Sequence, residues 1–196
     1  MSPENLAMKD LKQIRISGFG GQGIILAGAI LGHAAARDGK WVAGSSSYGA
    51  QARGGYARSD IVISNQPIVF PHVIKSDILI AMSQAAYDKY IEDMTPGSII
   101  FFDKQQVSRQ GFNGVRQVGI PSTSCAINQT GRKQVANMVM LGAAVSATGV
   151  VSKESLLWAI GENVDKRYLD LNQKSIETGF ALGEERWRFL EERTGR

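Results

Sequence analysis

The chain has 196 residues, 43% of them apolar and 20% charged, with 22 glycines, a composition suited to one α/β domain with a real core and several tight turns. Its formal net charge of +4 comes from scattered Lys and Arg without a basic–aromatic run, so the composition gives no nucleic-acid footprint. The single cysteine, Cys125, excludes an internal disulfide and cannot alone hold zinc or an iron–sulfur cluster; His33 and His72 stand far apart without partners at metal spacing, so no metal site is expected.

Residues 1–11 read as an N-terminal arm, and residues 12–196 as a single domain. The arm lacks the basic and apolar regions of a signal peptide, and no apolar run is long enough to span a bilayer, so a cytoplasmic protein without a membrane partner is expected. Lys12–Ser17 alternates and reads as a strand, and Ile24–Ala36 reads as a helix. Between them, Gly18-Phe19-Gly20-Gly21-Gln22-Gly23 fits G-x-G-x-x-G, a Rossmann-like glycine-rich first turn. In that pattern Gly18 permits the turn, Gly20 lets a phosphate near the backbone, and Gly23 lets the helix press on the strand. The helix N-terminus then offers N–H groups to an anion, unless the glycines serve only as a tight turn.

Lys40–Ala43 reads as a short second strand. Its end carries Gly44-Ser45-Ser46-Ser47 instead of the carboxylate that binds ribose hydroxyls, which disfavours NAD and leaves NADP open through Arg53. Ser45–Gly55, rich in Gly and Ser with one phenol and one guanidinium, reads as an extended loop. Strands are expected at 56–64, 77–82, 99–103 and 114–120, with a short helix at 84–94 and a turn at 95–98. Thr130–Ala147 reads as one long apolar helix rich in Met, buried against the sheet or another subunit. Ser152 caps the next helix, and 170–192 forms a last one with Ile176, Phe180, Trp187 and Leu190 on one side. The fold class is therefore α/β, a mostly parallel sheet flanked by helices.

These motifs together resemble the gamma subunit of the 2-oxoacid:ferredoxin (acceptor) oxidoreductases. The residues that carry the resemblance are Ile16–Gly23, Ser47-Tyr48-Gly49 with Ala52-Arg53-Gly54-Gly55, Ser59–Ser64, Pro121-Ser122-Thr123 and Asn137–Gly142, across residues 14–177. The resemblance implies a chain that is not catalytic alone, so no catalytic residue is assigned. It implies a subunit of an enzyme that oxidatively decarboxylates a 2-oxoacid, passes electrons to ferredoxin or another acceptor, and forms an acyl-coenzyme A. Coenzyme A is expected at Gly18, Gly20, Gly21, Gln22, Gly23, Tyr48, Arg53, Gly54 and Gly55. Thiamine diphosphate, Mg and iron–sulfur clusters are expected on alpha, beta and ferredoxin-like iron–sulfur partner subunits, since this chain has neither a thiamine diphosphate pattern nor a cysteine set. Relatives of the 2-oxoglutarate type read Tyr-Gly-Pro-Glu-Ala-Arg-Gly-Gly where this chain has Ala50 and Gln51, which leaves 2-oxoglutarate, pyruvate, branched and aromatic 2-oxoacids open. The alternatives are an NADP-binding oxidoreductase and a purely architectural subunit.

Overall fold

A computed structural model describes residues 11–49 and 55–194, with side chains described as far as residue 188. The elements are β1 (Leu11–Phe19), α1 (Ile24–Arg37), β2 (Trp41–Tyr48), β3 (Tyr56–Ser64), β4 (Ser76–Ala81), α2 (Gln84–Tyr90), β5 (Met94–Asp103), β6 (Arg116–Ile120), α3 (Ser122–Thr130), α4 (Ala136–Thr148), α5 (Lys153–Asn163) and α6 (Leu169–Thr194). The strands form one sheet in the order β2-β3-β1-β4-β5-β6. β1, β4, β5 and β6 pair in parallel, whereas β3 lies antiparallel to both β1 and β2. Among these six strands only β3 is therefore reversed, and the expected mostly parallel α/β sheet is what forms. The chain leaves β1 towards β3 and β2 on one side and resumes at β4 on the other. The C-terminal ends of β1 and β4 thus flank the topological switch point, where open α/β sheets make their ligand crevice.

Two apolar cores of unequal size sandwich the sheet. On one face Ile14, Ile16, Ile61, Ile63, Ile78, Ile80 and Phe101 pack with α1, α4, α5 and α6. On the other, Leu79, Ala81, Ile100 and Phe102 pack with the short α2 and the 3-10 turn that follows it. β4 contributes to both, which explains its unbroken apolar run. α1 buries Ile24, Ala27, Gly28, Leu31, Ala34 and Ala35, a stripe at three- and four-residue spacing. α4 is apolar all round because it lies between the sheet and α6. Its methionines are fully buried in this chain's own core, so they offer no surface to another subunit.

The smaller-core face also carries a charged pair. Arg15 of β1 and Asp60 of β3 are both buried and directly paired in register. The Arg15 guanidinium donates to both Asp60 oxygens, at 2.8 and 3.0 Å, and to the Val73 carbonyl at 3.1 Å. It also stacks over the Tyr90 ring at 4.4 Å.

Several boundaries differ from the sequence expectation. Residues 1–10 lie outside the described residues, and Leu11, expected in the arm, opens β1 by pairing with Ser64. Ser45–Tyr48 is strand instead of loop, because β2 pairs with β3 throughout, from Trp41↔Ser64 to Tyr48↔Ala57. Met94–Ser98, expected as helix end and turn, is the start of β5. The helix expected at Thr130–Ala147 is two: α3 ends at Gly131 in a left-handed conformation, a 3-10 turn follows, and α4 begins at Ala136. Among the described residues no helix is long and apolar enough to cross a membrane.

Asp38, which follows α1, accepts hydrogen bonds from the Ser152 amide and hydroxyl, both at 2.7 Å, and so ties α1 to the start of α5. Partial burial acts to raise its pKa, but the hydrogen bonds from Ser155 and Ser152 and the charge of Lys40 outweigh it, and the carboxyl sits below its ordinary value of 3.8. A depressed carboxylate pKa adds stability that is present above the unfolded value and lost as pH falls through the folded one. Asp38→Ala is therefore expected to cost about 1 kcal/mol at pH 7. The gap to the parent should close in urea titrations run below about pH 4.

Candidate functional site

The glycine turn occupies the switch point. Gly18 is still strand, packed so closely that a side chain there would strike Gln22 and Met82. The turn closes through the Gln22 amide to the Phe19 carbonyl at 3.1 Å. Gly21 (φ +93°) and Gly23 (φ +70°) adopt left-handed conformations that L side chains avoid. Gly23 is also the N-cap of α1 and abuts Asn137 of α4, whose amide donates to the Gly23 carbonyl at 3.0 Å. Close approach of α1 to the sheet, expected at Gly23, occurs instead at Gly28, which faces Ser59.

The Gln22 side chain turns inward. Its Oε1 accepts from the Phe19 amide at 2.6 Å and its Nε2 donates to the Met82 carbonyl at 2.9 Å, joining the exits of β1 and β4. The Gly20 amide donates to the Gly55 carbonyl at 2.7 Å, joining the turn to the base of the β2–β3 hairpin. The donors of Phe19, Gly20 and Gln22 are thus engaged inside the protein. Among the described residues the amides of Gly21 and Gly23 have no such partner, and α1 has no side-chain cap. The N–H groups left for an anion come from Gly21, Gly23 and the first turn of α1.

Gly21 borders a cleft of about 390 Å³ that is also lined by Gly20, Gln22, Met82, Gln106, Thr123, Lys133 and Gln134, whereas Gly23 and Leu26 border a neighbouring one. A second cleft of about 600 Å³ shares Gly21 and Gln134 with the first and extends past Arg132 to Tyr168. Asp103, at the end of β5, shapes the far wall. Its fully buried carboxylate accepts from the Ser122 hydroxyl, from the Thr123 amide at 2.9 Å and from the Thr123 hydroxyl at 2.6 Å. It thereby caps α3, whose own N-cap residue is Pro121 and supplies no side-chain bond. Half-buried Cys125 lies in the same turn of α3; burial, then the Asp103 charge, pushes its thiol above its ordinary value.

Of the expected site residues, Gly18, Gly20, Gly21, Gln22, Gly23 and Gly55 come together at this turn. Tyr48, the last residue of β2, is exposed and pairs with Ala57, which pairs in turn with Gly18. It stands at the same end of the sheet two strands away, roughly 10 Å at the usual strand spacing. Arg53 and Gly54 lie outside the described residues. Sequence reasoning named Thr123 only within the resemblance and missed Lys133 and Gln134, because a single long helix from Thr130 hid the break at Gly131; Gly131-Arg132-Lys133 was the signal for it. Among the described residues no group of His, Cys, Asp and Glu could hold a metal ion.

The sequence profile of the pyruvate ferredoxin/flavodoxin oxidoreductase family matches residues 13–182. The 2-oxoglutarate synthase subunit KorC of Methanocaldococcus jannaschii is 46% identical over 181 residues, covering 91% of this chain and 97% of that protein. The crystal structure of the gamma subunit of a keto/oxoacid ferredoxin oxidoreductase from Geobacter sulfurreducens superposes with a TM-score of 0.78 at 38% identity, over 89% of this chain and 99% of that one. The 2-oxoglutarate:ferredoxin oxidoreductase of Magnetococcus marinus, solved with 2-oxoglutarate, coenzyme A and succinyl-CoA bound, gives a TM-score of 0.80 at 25% identity. That match covers 90% of this chain but 31% of the longer one.

Proposed function

The chain belongs to the pyruvate ferredoxin/flavodoxin oxidoreductase family, and from that premise we propose that it is the gamma subunit of a 2-oxoacid:acceptor oxidoreductase in which it holds coenzyme A. 2-Oxoglutarate is the favoured 2-oxoacid, because the chain is 41–46% identical to relatives described as 2-oxoglutarate synthase subunit KorC. Decarboxylation and electron transfer fall to partner chains that carry thiamine diphosphate, Mg and iron–sulfur clusters. The observation that carries the reading is the cleft at the switch point, whose wall has the Gly21 amide, without a partner among the described residues, and a cation, Lys133, with the Gly23 amide bordering the adjoining cleft. The pyrophosphate of coenzyme A needs such a combination of backbone donors and fixed charge. Gln22 and Gly20 act here by holding the turn, and Thr123 is held in place by Asp103.

Tyr48, at the end of β2, and Arg53 are the further contacts to the nucleotide. The partner chains meet the apolar side chains this subunit leaves outside, Val69, Phe70 and Ile74, which are all exposed. The aromatic stripe of α6 is not part of that contact, since Ile176 and Phe180 are buried in the chain's own core.

In the assembled enzyme, Lys133→Ala and Arg53→Ala are each expected to raise the KM for coenzyme A about tenfold, the loss of one charged hydrogen bond. The KM for the 2-oxoacid should stay within twofold. Steady-state kinetics with each substrate varied in turn reads both. If neither variant changes the coenzyme A dependence, this chain does not bind coenzyme A at the turn. If Arg53→Ala instead prevents co-purification of the partner chains, that arginine belongs to the interface.

A further inference from the structure

β2 is the outer strand of the sheet, and among the described residues it pairs with β3 alone. Its pairing is regular, one residue against one from Trp41↔Ser64 to Tyr48↔Ala57. It continues past the strand in the bond from the Gly49 amide to the Tyr56 carbonyl at 2.8 Å. In an antiparallel ladder, successive residues turn their amide and carbonyl alternately towards the partner strand and away from it. Gly49 turns towards β3, so Trp41, Ala43, Ser45 and Ser47 do too. Val42, Gly44, Ser46 and Tyr48 therefore turn outward, and no backbone group of another described segment reaches them.

Such an edge commonly carries a device that keeps other strands away, such as a lysine, a proline or a bulge. β2 has none of these. Its sequence, Trp-Val-Ala-Gly-Ser-Ser-Ser-Tyr, holds no charge and no proline, and its register with β3 has no bulge. Gly44 to Tyr48 are all exposed. Lys40, the charge just before the strand, is turned to the Val150 carbonyl at 2.7 Å.

The outward groups select the occupant. A row of alternating amides and carbonyls is answered by another extended strand, and a second β2 running antiparallel answers it completely. With Ser45 on a two-fold axis, Val42 faces Tyr48 of the second copy, and Gly44 faces Ser46 of the second copy. The same pairs recur on the other side of the axis, so every outward amide and carbonyl is used. The side chains agree with this register. Val42 lies against Gly32 of α1, and Tyr48 is paired with Ala57 of the larger core, so both point to the same face of the sheet and meet across the axis. The centre is small, and an uncharged strand escapes the repulsion that a two-fold axis imposes on a charged edge residue facing its own copy.

We propose that β2 is a self-pairing edge: two copies of this chain join antiparallel in a register centred on Ser45, and their sheets become one.

The test uses the full chain. Sedimentation over a range of concentrations should show a monomer–dimer equilibrium. Gly44→Pro removes one outward amide from each copy and leaves the ladder to β3 intact, because that amide does not serve it. It should raise the dimer Kd about tenfold or more with an unchanged far-UV circular dichroism spectrum. Disulfide trapping in a Cys125→Ala background reads the register. Ser45 would face itself in a non-hydrogen-bonded pair, with Cα atoms about 4.5 Å apart and within disulfide reach. Ser45→Cys should therefore give a covalent dimer under mild oxidation. Ser47 faces Ala43 of the second copy, and the two Ser47 residues stand roughly 13 Å apart, so Ser47→Cys should not link. A chain that stays monomeric at every concentration overturns the proposal and leaves this edge to a different partner. So does a dimer that Gly44→Pro leaves unchanged, or equal linking by Ser45→Cys and Ser47→Cys.

Discussion

Gly179→Val is expected to abolish cooperative folding, and Gly179→Ala to lower stability by about 3 kcal/mol, the upper end for overpacking a core. α4 and α6 cross so closely at Gly142, Ala143, Gly179 and Gly183 that backbone meets backbone. A Cβ on Gly179 would fall 2.9 Å from the Ala143 amide nitrogen and 3.0 Å from the Gly142 Cα, and closer still to the Val139 carbonyl. None of these atoms can rotate aside as a side-chain tip can, so the helices would have to separate. That would loosen the packing of Met138, Val139 and Leu141 against the sheet. Gly161→Ala in α5 is the control. A Cβ there meets nothing within 4 Å, and the change should stabilise by about 0.5–1 kcal/mol through helix propensity alone. Urea denaturation of the three variants checks the pair of expectations. Equal stability of Gly179→Ala and the parent would mean that α4 and α6 do not pack through these glycines.

The second large effect is expected at Asp60. Its carboxylate is the main answer to the Arg15 guanidinium, and the two side chains are only 6% and 5% exposed. Arg58 reaches the same carboxylate at 3.4 Å but is itself one-third exposed. Asp60→Ala leaves Arg15 charged, buried and short of two hydrogen bonds, which should cost about 3–5 kcal/mol. Arg15→Met with Asp60→Val removes both charges at similar volume, and should recover most of that loss. Chemical denaturation of the single and double variants measures the difference. A cost below about 1 kcal/mol for Asp60→Ala would mean that the pair behaves like a surface salt bridge.

Much of the fold was legible because its signals are local. The β1–turn–α1 unit declares itself through alternation, glycine spacing and a helical stripe, and β4 through an apolar run long enough only for a strand buried on both faces. The pairing partners were not legible. Nothing in Gly44-Ser45-Ser46-Ser47 marks a strand, and β3 makes it one by supplying backbone partners along its whole length. The end of α3 was lost for the opposite reason. An apolar stretch follows Gly131 closely, and a left-handed glycine inside such a stretch looks like a tolerated helical residue until the tertiary structure shows the turn. At the site, the glycine spacing located the tight turn between β1 and α1. It could not say which amides were already engaged, since that depends on Gly55 and Met82, residues 35 and 60 positions away from their partners.

The hydrogen bond from Gly20 to Gly55 has a thermodynamic corollary. It joins the turn to the β2–β3 hairpin, so a ligand at one that strengthens this bond would strengthen binding at the other, and such linkage is reciprocal. A partner chain that tightens its grip on the β2–β3 hairpin only when an anion sits at the turn must, by the same free energy, tighten the anion. Under the proposed function, weak anion binding by the isolated subunit would be compatible with tight binding in the complex.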